Sequence, residues 1–366
     1  MFEGYYHKRR VAVTGHTGFK GAWMSLWLHH LGASVWGYSL PAPTEPNFHQ
    51  TLPESVFAGQ TCADIRDLRR LSEFLRAAQP EILFHMAAQP LVRRSYDEPV
   101  ETFSVNALGT ATVLEAVKLS RRPITVIVIT SDKCYENREW EYAYRENDRL
   151  GGHDVYSMSK AAAELVVQSW NRSFFLPDPQ LGHLVSVRAG NVIGGGDYAP
   201  DRLVPDCVRS LIQGRPIPIR HPEAVRPWQH VLECLSGYLW LGARLATEKK
   251  GSLLASPFNF GPDHSSQKTV KELVEEVLRH WPGSWEDVSN HGEPHEAKML
   301  SLAIDKAARL LSWKPTWSFK EAITNTVAWY RERHQTQNPN MAAFSLNQIE
   351  TFTNSAIQKG AAWALK

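Results

Sequence analysis

Two short runs of residues carry groups whose types and spacing are suited to chemistry. Ser131, Asp132 and Lys133 place a hydroxyl, an acid and an amine directly after the apolar run 124–129. Tyr156 and Lys160 are four residues apart, so on a helix both side chains project from one face. Each run has a plainer interpretation: the first could be a polar turn with a local Asp–Lys pair, and one Tyr–Lys match at this spacing can arise by chance.

A glycine-rich turn near the start of the chain favours a bound dinucleotide. Residues 11–21 read VAVTGHTGFKG, which is an apolar strand that opens directly into a helix. Glycines in such a turn let the backbone approach a pyrophosphate, and the helix N-terminus offers free N–H groups. An ordinary strand-to-helix turn is the alternative, but the strand before and the helix after favour cofactor binding. The residues predicted to form this site are Gly15, Thr17, Gly18, Phe19, Lys20 and Gly21.

Strands and helices alternate through the first half of the chain. Apolar runs predict strands at 33–38, 81–85, 124–129 and 185–189, and helical patterns lie between them, including a long one over 100–119. This alternation predicts an α/β fold with a doubly wound parallel sheet of the Rossmann type. Ligands of such sheets bind beyond the C-terminal strand ends, where residues 130–133 would lie.

Beyond residue 190 proline becomes more frequent and the alternation loosens. We therefore predict a dinucleotide-binding domain over 1–190, a smaller C-terminal α/β region for the substrate over 191–340 that partly returns to the sheet, and a helical tail over 341–366. Helices are predicted at 269–280, 305–311, 319–333 and 344–357. Arginines in the loops of this region are usually solvated, although forked donors also suit a phosphorylated substrate.

Composition excludes several other classes of protein. The net charge of +2 does not indicate electrostatic binding to nucleic acid or acidic lipid, and no apolar run is long enough for a membrane span. The four cysteines are scattered, as expected of buried thiols in a reducing cytoplasm. Residues 291–296, HGEPHE, contain two histidines, but Pro294 interrupts any helix that would align them, so we expect no metal site.

Taken together, the motifs TGHTGFKG, HMAAQ, ITSDKCY, YSMSK and RAGNVIGGGD resemble the extended short-chain dehydrogenase/reductase family. Within it, DRLVPD, RPWQHV and NFGP look like the branch that dehydrates CDP-sugars. Lys133 is similar to that branch, whereas dTDP-sugar relatives carry a glutamate there. The resemblance implies a lyase that uses NAD to convert CDP-glucose to CDP-4-keto-6-deoxyglucose.

This resemblance also implies a role for each candidate catalytic residue. Tyr156 would accept the C4 hydroxyl proton, and Lys160, with the positive nicotinamide, would lower the pKa of that tyrosine. Ser131 would hydrogen-bond the C4 oxygen, Lys133 in its neutral form would remove the C5 proton, and Asp132 would protonate the departing C6 hydroxyl. The further cofactor residues would be Asp64, Ile65, Ala87, Ala88, Gln89, Asn106 and Thr130, and the substrate residues, besides Ser131, Asn191, Arg202, Leu203, Arg226, His230 and Asn259.

Several expectations stay open at the level of sequence. The second strand ends in Gly37-Tyr38-Ser39-Leu40 without the acidic residue that holds an adenosine ribose, so NADP is not excluded. A nucleotide-sugar 4-epimerase would share Tyr156 and Lys160 but would not need Asp132 and Lys133. A regulatory NAD(P)-binding protein would typically lose the tyrosine or the lysine. By resemblance, helices 100–119 and 155–170 would form a four-helix bundle in a homodimer, or in a tetramer, serving deoxysugar synthesis for bacterial lipopolysaccharide O-antigen.

Overall fold

The computed structural model of the chain describes residues 1–289 and 299–365. Thirteen strands form in the described residues, seven of them in one sheet. They are β1 (Arg10–Thr14), β2 (Ser34–Ser39), β3 (Gly59–Cys62), β4 (Ile82–His85), β5 (Thr125–Ile129), β6 (Leu184–Arg188), β7 (Val192–Ile193), β8 (Ile217–Ile219), β9 (Val225–Pro227), β10 (Gln229–His230), β11 (Phe258–Asn259), β12 (Gln267–Thr269) and β13 (Trp285–Asp287).

The large sheet is parallel throughout, in the order β11-β6-β5-β4-β1-β2-β3. Every residue of β5 and β6 is buried, as expected of strands covered on both faces. The strand order reverses between β1 and β4, and a ligand crevice forms at such a point. The predicted doubly wound Rossmann-type sheet is confirmed. The edge strand β3, whose sequence is GQTC, escaped prediction because it lacks an apolar run.

Helices cover both faces of the sheet. One face packs against α2, α5 and α6, and the other packs against α1 and α8. Asp67 caps α2, since its carboxylate accepts the N–H of Arg70. The helices are α1 (Phe19–His30), α2 (Leu68–Ala78), α3 (Val92–Asp97), α4 (Pro99–Phe103), α5 (Gly109–Ser120), α6 (Val155–Trp170), α7 (Leu203–Ile212), α8 (Val231–Ala246), α9 (Val270–His280), α10 (Asp305–Leu311), α11 (Phe319–Gln335), α12 (Met341–Gln358) and α13 (Ala362–Leu365).

The helix predicted over 100–119 is interrupted by one wide turn. Helix α4 begins at Pro99, and a π-helical segment, Ser104–Leu108, connects it to α5. Such a turn inserts an extra residue into the hydrogen-bond ladder and turns a side chain inward. Here it contains Asn106, whose amide is buried against the end of β4 and against α6.

The C-terminal part of the chain is joined closely to the sheet. Strand β11 adds to the edge of the sheet beside β6, so the chain returns to it after residue 190. Helix α12 packs on α1, and the ring of Trp363 stacks on Phe2 at a centroid distance of 5.2 Å. The segment beyond residue 340 is therefore part of the main hydrophobic core.

Two sequence expectations concern residues outside this core. Cys62 is exposed at the edge of the sheet, so the expectation of buried thiols is wrong for it and right for Cys134, Cys207 and Cys234. The run 291–296 lies outside the described residues. Within residues 1–289 and 299–365, every helix is too short or too polar to cross a bilayer.

Candidate active site

A chain of hydrogen bonds joins the candidate catalytic residues. The hydroxyl of Tyr156 is hydrogen-bonded to Ser131, whose own hydroxyl donates to Oδ1 of Asp132 at 2.9 Å. All three side chains are at least nine-tenths buried. Ser131 and Asp132 come from the end of β5, and Tyr156 comes from the first turn of α6. The two runs that the sequence singled out therefore meet at the C-terminal edge of the sheet.

The end of β6 fixes the position of the Asp132 carboxyl. Nδ2 of Asn191 lies 3.5 Å from Oδ2. A Cβ placed on Gly190 would stand 1.8 Å from the same oxygen, so only glycine leaves room for this carboxyl. Asn191 has a positive φ of 50°, which turns the chain over the carboxyl. Asp132 is thus held between the ends of two neighbouring strands.

A short 3-10 turn, Asp132–Cys134, presents Lys133 to the same edge. Ser131 caps this turn, because its Oγ accepts the N–H of Lys133 at 3.2 Å. The Lys133 side chain is half-buried, in contrast to the buried acid beside it. One hydroxyl therefore bonds both the carboxyl of Asp132 and the backbone N–H of Lys133.

Burial dominates the electrostatics of Tyr156 and Lys160. It raises the pKa of Tyr156 to about 12, while the hydrogen bond with Ser131 and the charge of Arg202 act in the opposite direction. It lowers the pKa of Lys160 to about 8, and the charge of Lys20 lowers it further. The cation that acts most strongly on Tyr156 within the protein is therefore Arg202, not Lys160 as expected from the sequence.

The glycine turn between β1 and α1 has the shape of a pyrophosphate cradle. Gly15 has a φ of 74°, and a Cβ on it would meet the Ala87 backbone at 2.7 Å. A Cβ on Gly21 would stand 2.1 Å from the carbonyl oxygen of Gly15, so this glycine allows the helix to pack on the strand. Gly18 is the N-cap of α1, and no side chain caps this helix start. The N–H groups of the first helical turn thus face space that an anion could fill.

Asn106 connects the end of β4 to the tyrosine helix. Its Oδ1 accepts the N–H of Gln89, and its Nδ2 donates to the Gln89 carbonyl and to Oγ of Ser159. The Gln89 side chain is itself bonded to Thr102 and to the backbone of Leu91. Asn106 and Gln89 were predicted to bind the cofactor. Their amide groups instead hold the loop 86–89, including Ala87 and Ala88, at the crevice.

The ring of His16 packs against β2, the strand that ends without an acidic residue. A Cβ on Gly37 would lie 2.5 Å from the ring of His16. Burial lowers the pKa of His16 to about 4, so the ring is neutral, and Nε2 contacts Oε1 of Gln60 at 2.9 Å. The hydroxyl of Thr17 is bonded to Ser39 and to the Leu40 carbonyl.

Two further residues of the predicted adenine side follow β3. The carboxylate of Asp64 is paired with Arg66 at 2.6 Å, and the Arg66 hydrogen bonds lower the pKa of Asp64. Ile65 is buried and packs against Gly109 at the start of α5.

The predicted substrate residues divide into two groups. Arg202 pairs with Asp197 at 2.9 Å at the start of α7, next to Leu203, and its charge reaches Tyr156. Arg226 lies on β9, almost fully buried, and its guanidinium donates to the Val225 carbonyl. A small cavity beside Asp132 and Gly190 is also lined by Gln229, Ser301 and Leu302. Asn191 lies 3.5 Å from Asp132 and the charge of Arg202 acts on Tyr156, so these two residues adjoin the catalytic group.

His230 and Asn259 correct the prediction, because both have structural roles. His230 is fully buried between the rings of Trp23 and Trp317, and its Nδ1 caps α8 by accepting the Leu232 N–H. Burial lowers the pKa of His230 to about 3. Asn259 is fully buried too, with its amide bonded to the hydroxyl of Tyr135 and to the carbonyls of Tyr144 and Ala303. Both side chains point into the core.

Sequence reasoning also missed residues that support the site. Glu164 and Arg188 form an ion pair that is fully buried directly beneath it. The spacing gave a usable indication, since Glu164 follows Lys160 by four residues and Tyr156 by eight. Gly190 could have been recognised as a glycine placed directly after a buried strand.

Comparison with known proteins agrees with this site and fold. The sequence profile of the GDP-mannose 4,6 dehydratase family matches residues 12–326. The chain belongs to this family. Its fold and motifs confirm the predicted extended short-chain dehydrogenase/reductase relationship. A CDP-glucose 4,6-dehydratase from Salmonella typhimurium is 48% identical over 335 residues, which is 90% of this chain and 92% of the relative.

Solved structures share the fold over about nine-tenths of this chain. A dTDP-glucose 4,6-dehydratase from Streptomyces venezuelae, solved with NAD bound, superposes with a TM-score of 0.75 at 24% identity, over 90% of this chain and 99% of that one. An epimerase from Methanothermobacter thermautotrophicus gives a TM-score of 0.77 at 22% identity, over 91% and 96%. Because dehydratases and epimerases share this fold, the site must decide which reaction occurs.

Proposed function

We propose that this member of the dehydratase family converts CDP-glucose to CDP-4-keto-6-deoxyglucose and water. The acid of Asp132 and the amine of Lys133 beside the Tyr156–Ser131 pair favour this reaction over epimerisation, which needs neither group. The high identity to the Salmonella enzyme supports the cytidine nucleotide. The order of events follows from the chemistry of glucose, whose C5 proton becomes acidic only when C4 is a ketone.

The crevice fits a dinucleotide. The glycine turn, the uncapped start of α1 and the loop 86–89 line one continuous edge of the sheet. Lys160 would hold the nicotinamide ribose hydroxyls, and the residues from Gly15 to Gly21 would hold the pyrophosphate. NAD, when bound, supplies a hydride acceptor, a returning hydride and a positive ring beside Tyr156. We assign NAD as the cofactor from the family, although β2 ends without the acidic residue that holds an adenosine ribose.

Tyr156 and Ser131 act on the C4 hydroxyl. Ser131 hydrogen-bonds the C4 oxygen, and Tyr156 takes its proton as C4 is oxidised. A buried tyrosine with a pKa of about 12 must be lowered by about four to five units to act near neutrality, which corresponds to about 6 kcal/mol. Arg202 contributes to this within the protein, and Lys160 with the bound nicotinamide would contribute the rest.

Lys133 and Asp132 carry out the elimination. Lys133 removes the proton from C5, and Asp132 gives a proton to the C6 hydroxyl as it leaves as water. The hydroxyl of Ser131 bonds the Asp132 carboxyl and the backbone N–H of Lys133, so it holds the short turn that carries both residues. Hydride then returns to C6 and a proton to C5, so the reaction involves no net oxidation.

The sugar nucleotide would bind on the C-terminal side of the crevice. Asn191, Leu203, Arg202 and Arg226 would contact it, the two arginines as pyrophosphate ligands. In this proposal residues 1–190 bind mainly the cofactor, and residues 191–340 bind mainly the substrate. Strand β11 joins the second part of the chain to the sheet of the first. Four free cysteines and the nucleotide-sugar substrate are consistent with a cytoplasmic enzyme. Its product would supply deoxysugar synthesis for bacterial lipopolysaccharide O-antigen.

The outer face of α4, α5 and α6 supports a homodimer. Val100 is 80% exposed, Leu108 58% and Leu165 56%, and Met158 lies one helical repeat before Leu165. An apolar face on neighbouring helices is the surface that a four-helix bundle would bury, either in a dimer or within a tetramer.

Leu165→Glu should shift the molar mass measured by light scattering toward the monomer. Leu253→Glu is the control, since Leu253 is 74% exposed far from this face. An unchanged mass for the Leu165 variant would argue against this interface.

The reaction is tested by incubating the protein with CDP-glucose and NAD. The expected product is lighter by one water and absorbs ultraviolet light in alkali as a 4-keto-6-deoxy sugar. An epimerase would give a product of unchanged mass, and a regulatory binding protein would give none. dTDP-glucose in place of CDP-glucose should react far more slowly, and equal rates would overturn the assignment of cytidine.

A further inference from the structure

Glu164 and Arg188 form a charged pair with almost every bonding position used. Both side chains are 0% exposed, and Nη2 of Arg188 lies 2.7 Å from Oε2 of Glu164. Oε1 accepts the hydroxyl of Thr130, and Oε2 also accepts the hydroxyl of Ser186 at 2.7 Å. These bonds lower the pKa of Glu164 against the effect of burial, so the carboxylate is charged. Burying two charges is costly, and these bonds offset the cost at every polar atom of the pair except Nε of Arg188, which has no partner.

The guanidinium extends the network toward the other side of the crevice. Nη1 of Arg188 donates to the hydroxyl of Tyr135 at 2.6 Å and to the carbonyl of Glu146 at 3.0 Å. The same guanidinium lies over the Tyr135 ring, 4.9 Å from its centroid. The Tyr135 hydroxyl in turn donates to Asn259 on β11. The pair is therefore bonded to β6 and to the segment that follows β5, and Tyr135 links it to β11.

The positions of these residues along the chain relate the pair to the site. Glu164 lies on α6 one turn after Lys160 and two turns after Tyr156. Thr130 is the residue before Ser131, at the end of β5. Arg188 ends β6, two residues before Gly190. The Glu164 carboxylate lies on α6, the helix that carries Tyr156. It bonds this helix to the end of β5, which carries Ser131, and to the end of β6, which encloses Asp132.

We propose that Glu164 and Arg188 are positioning residues, which set the distance between Tyr156 on α6 and the Ser131–Asp132 pair on β5. This inference rests on the proposed dehydration and assigns no contact with substrate to either residue. An apolar pair of similar volume would give equal or greater stability in such a place. A charged pair adds directional bonds, and a displacement of about 1 Å at reacting groups can cost about 100-fold in rate.

Two matched variants separate positioning from stability. Thr130→Val and Ser186→Ala each remove one hydroxyl that donates to Glu164, but only Thr130 adjoins Ser131. We expect both to lower the melting temperature by a few degrees. Thr130→Val should lower kcat at least 10-fold with KM for CDP-glucose and for NAD within about 3-fold, whereas Ser186→Ala should retain kcat. An increase in KM for NAD as the main effect of Thr130→Val would overturn the proposal in favour of a direct cofactor contact.

The double variant Glu164→Leu/Arg188→Met gives a second measurement. Glu164→Leu alone leaves a buried unpaired arginine and should be strongly destabilised. Removing both charges should restore the melting temperature while kcat stays at least 10-fold below wild type. Recovery of kcat together with stability would show that the pair is only structural. The wild-type reaction with CDP-glucose is measured alongside, so failure of the proposed function is seen as absent wild-type product and is distinct from failure of this inference.

Discussion

Gly190 lies so close to Asp132 that a Cβ on the glycine would stand 1.8 Å from the carboxylate Oδ2. The glycine follows β6 and the aspartate follows β5, and these strands are neighbours in the sheet. The acid of the proposed elimination is therefore placed by backbone as well as by side chains.

Gly190→Ala should displace the Asp132 carboxyl. We expect kcat to fall at least 100-fold, about 2.7 kcal/mol in activation free energy, because the acid no longer meets the leaving hydroxyl. The cost in stability should be about 1–3 kcal/mol, as for other overpacked sites, so the protein should fold. Steady-state kinetics and thermal unfolding measure the two effects. Wild-type kcat in a folded Gly190→Ala protein would contradict the role of Asp132.

Lys133→Met should separate oxidation from elimination. Without the amine, C4 oxidation can still occur, but the C5 proton stays in place. Solvent deuterium should therefore not enter C5 during incubation in heavy water, as followed by NMR of the recovered sugar. Lys314→Met removes an exposed lysine as a control and should exchange like wild type. Normal deuterium incorporation in Lys133→Met would refute the assignment of the base.

Tyr156→Phe should suppress the first hydride transfer. The phenol takes the C4 hydroxyl proton, and its removal also breaks the hydrogen bond to Ser131. The rate of NADH formation, followed by absorbance in a single turnover, should fall at least 100-fold, as expected for loss of a general base. Tyr142→Phe is the control, since that ring is 67% exposed. An undiminished NADH transient in Tyr156→Phe would rule out this tyrosine as the base.

His230→Asn should make the free energy of unfolding depend less on pH under acidic conditions. Burial lowers the pKa of His230 to about 3, below its unfolded value of about 6.5. A lowered pKa gives stability that is present above about 6.5 and is lost as the pH falls toward 3, by up to ~1.4 kcal/mol per unit.

Asparagine can cap α8 without titrating, so the unfolding free energy of His230→Asn should decrease less between pH ~7 and ~5 than that of wild type. Urea titrations at several pH values measure it. His30→Asn, at an exposed histidine, should keep the wild-type slope. The same slope in the His230 variant would contradict a neutral buried ring.

The sequence predicted the sheet and the reacting groups because both depend on local pattern. The fully apolar β5 and the four-residue spacing of Tyr156 and Lys160 are visible in the chain itself. The predicted bounds of α6 and α10 agree with the structure, and α9 begins one residue after its predicted start because Thr269 is its cap.

The errors concern which way a side chain points. His230 and Asn259 lie in the motifs predicted to form the crevice. In the structure the His230 ring caps a helix, and the Asn259 amide donates to carbonyls of the core. The cation acting most on Tyr156 is Arg202, which is 46 residues away in sequence and adjacent only after folding. Such contacts depend on tertiary packing, which spacing along the chain does not contain.

The buried amide of Asn106 has one more consequence. Because it bonds both to Gln89, beside the glycine turn, and to Ser159, between Tyr156 and Lys160, the floor of the cofactor crevice and the tyrosine helix should move as a single rigid body. Opening of the enzyme for exchange of ligands would then occur on the opposite wall, where the segments after residue 190 approach the crevice.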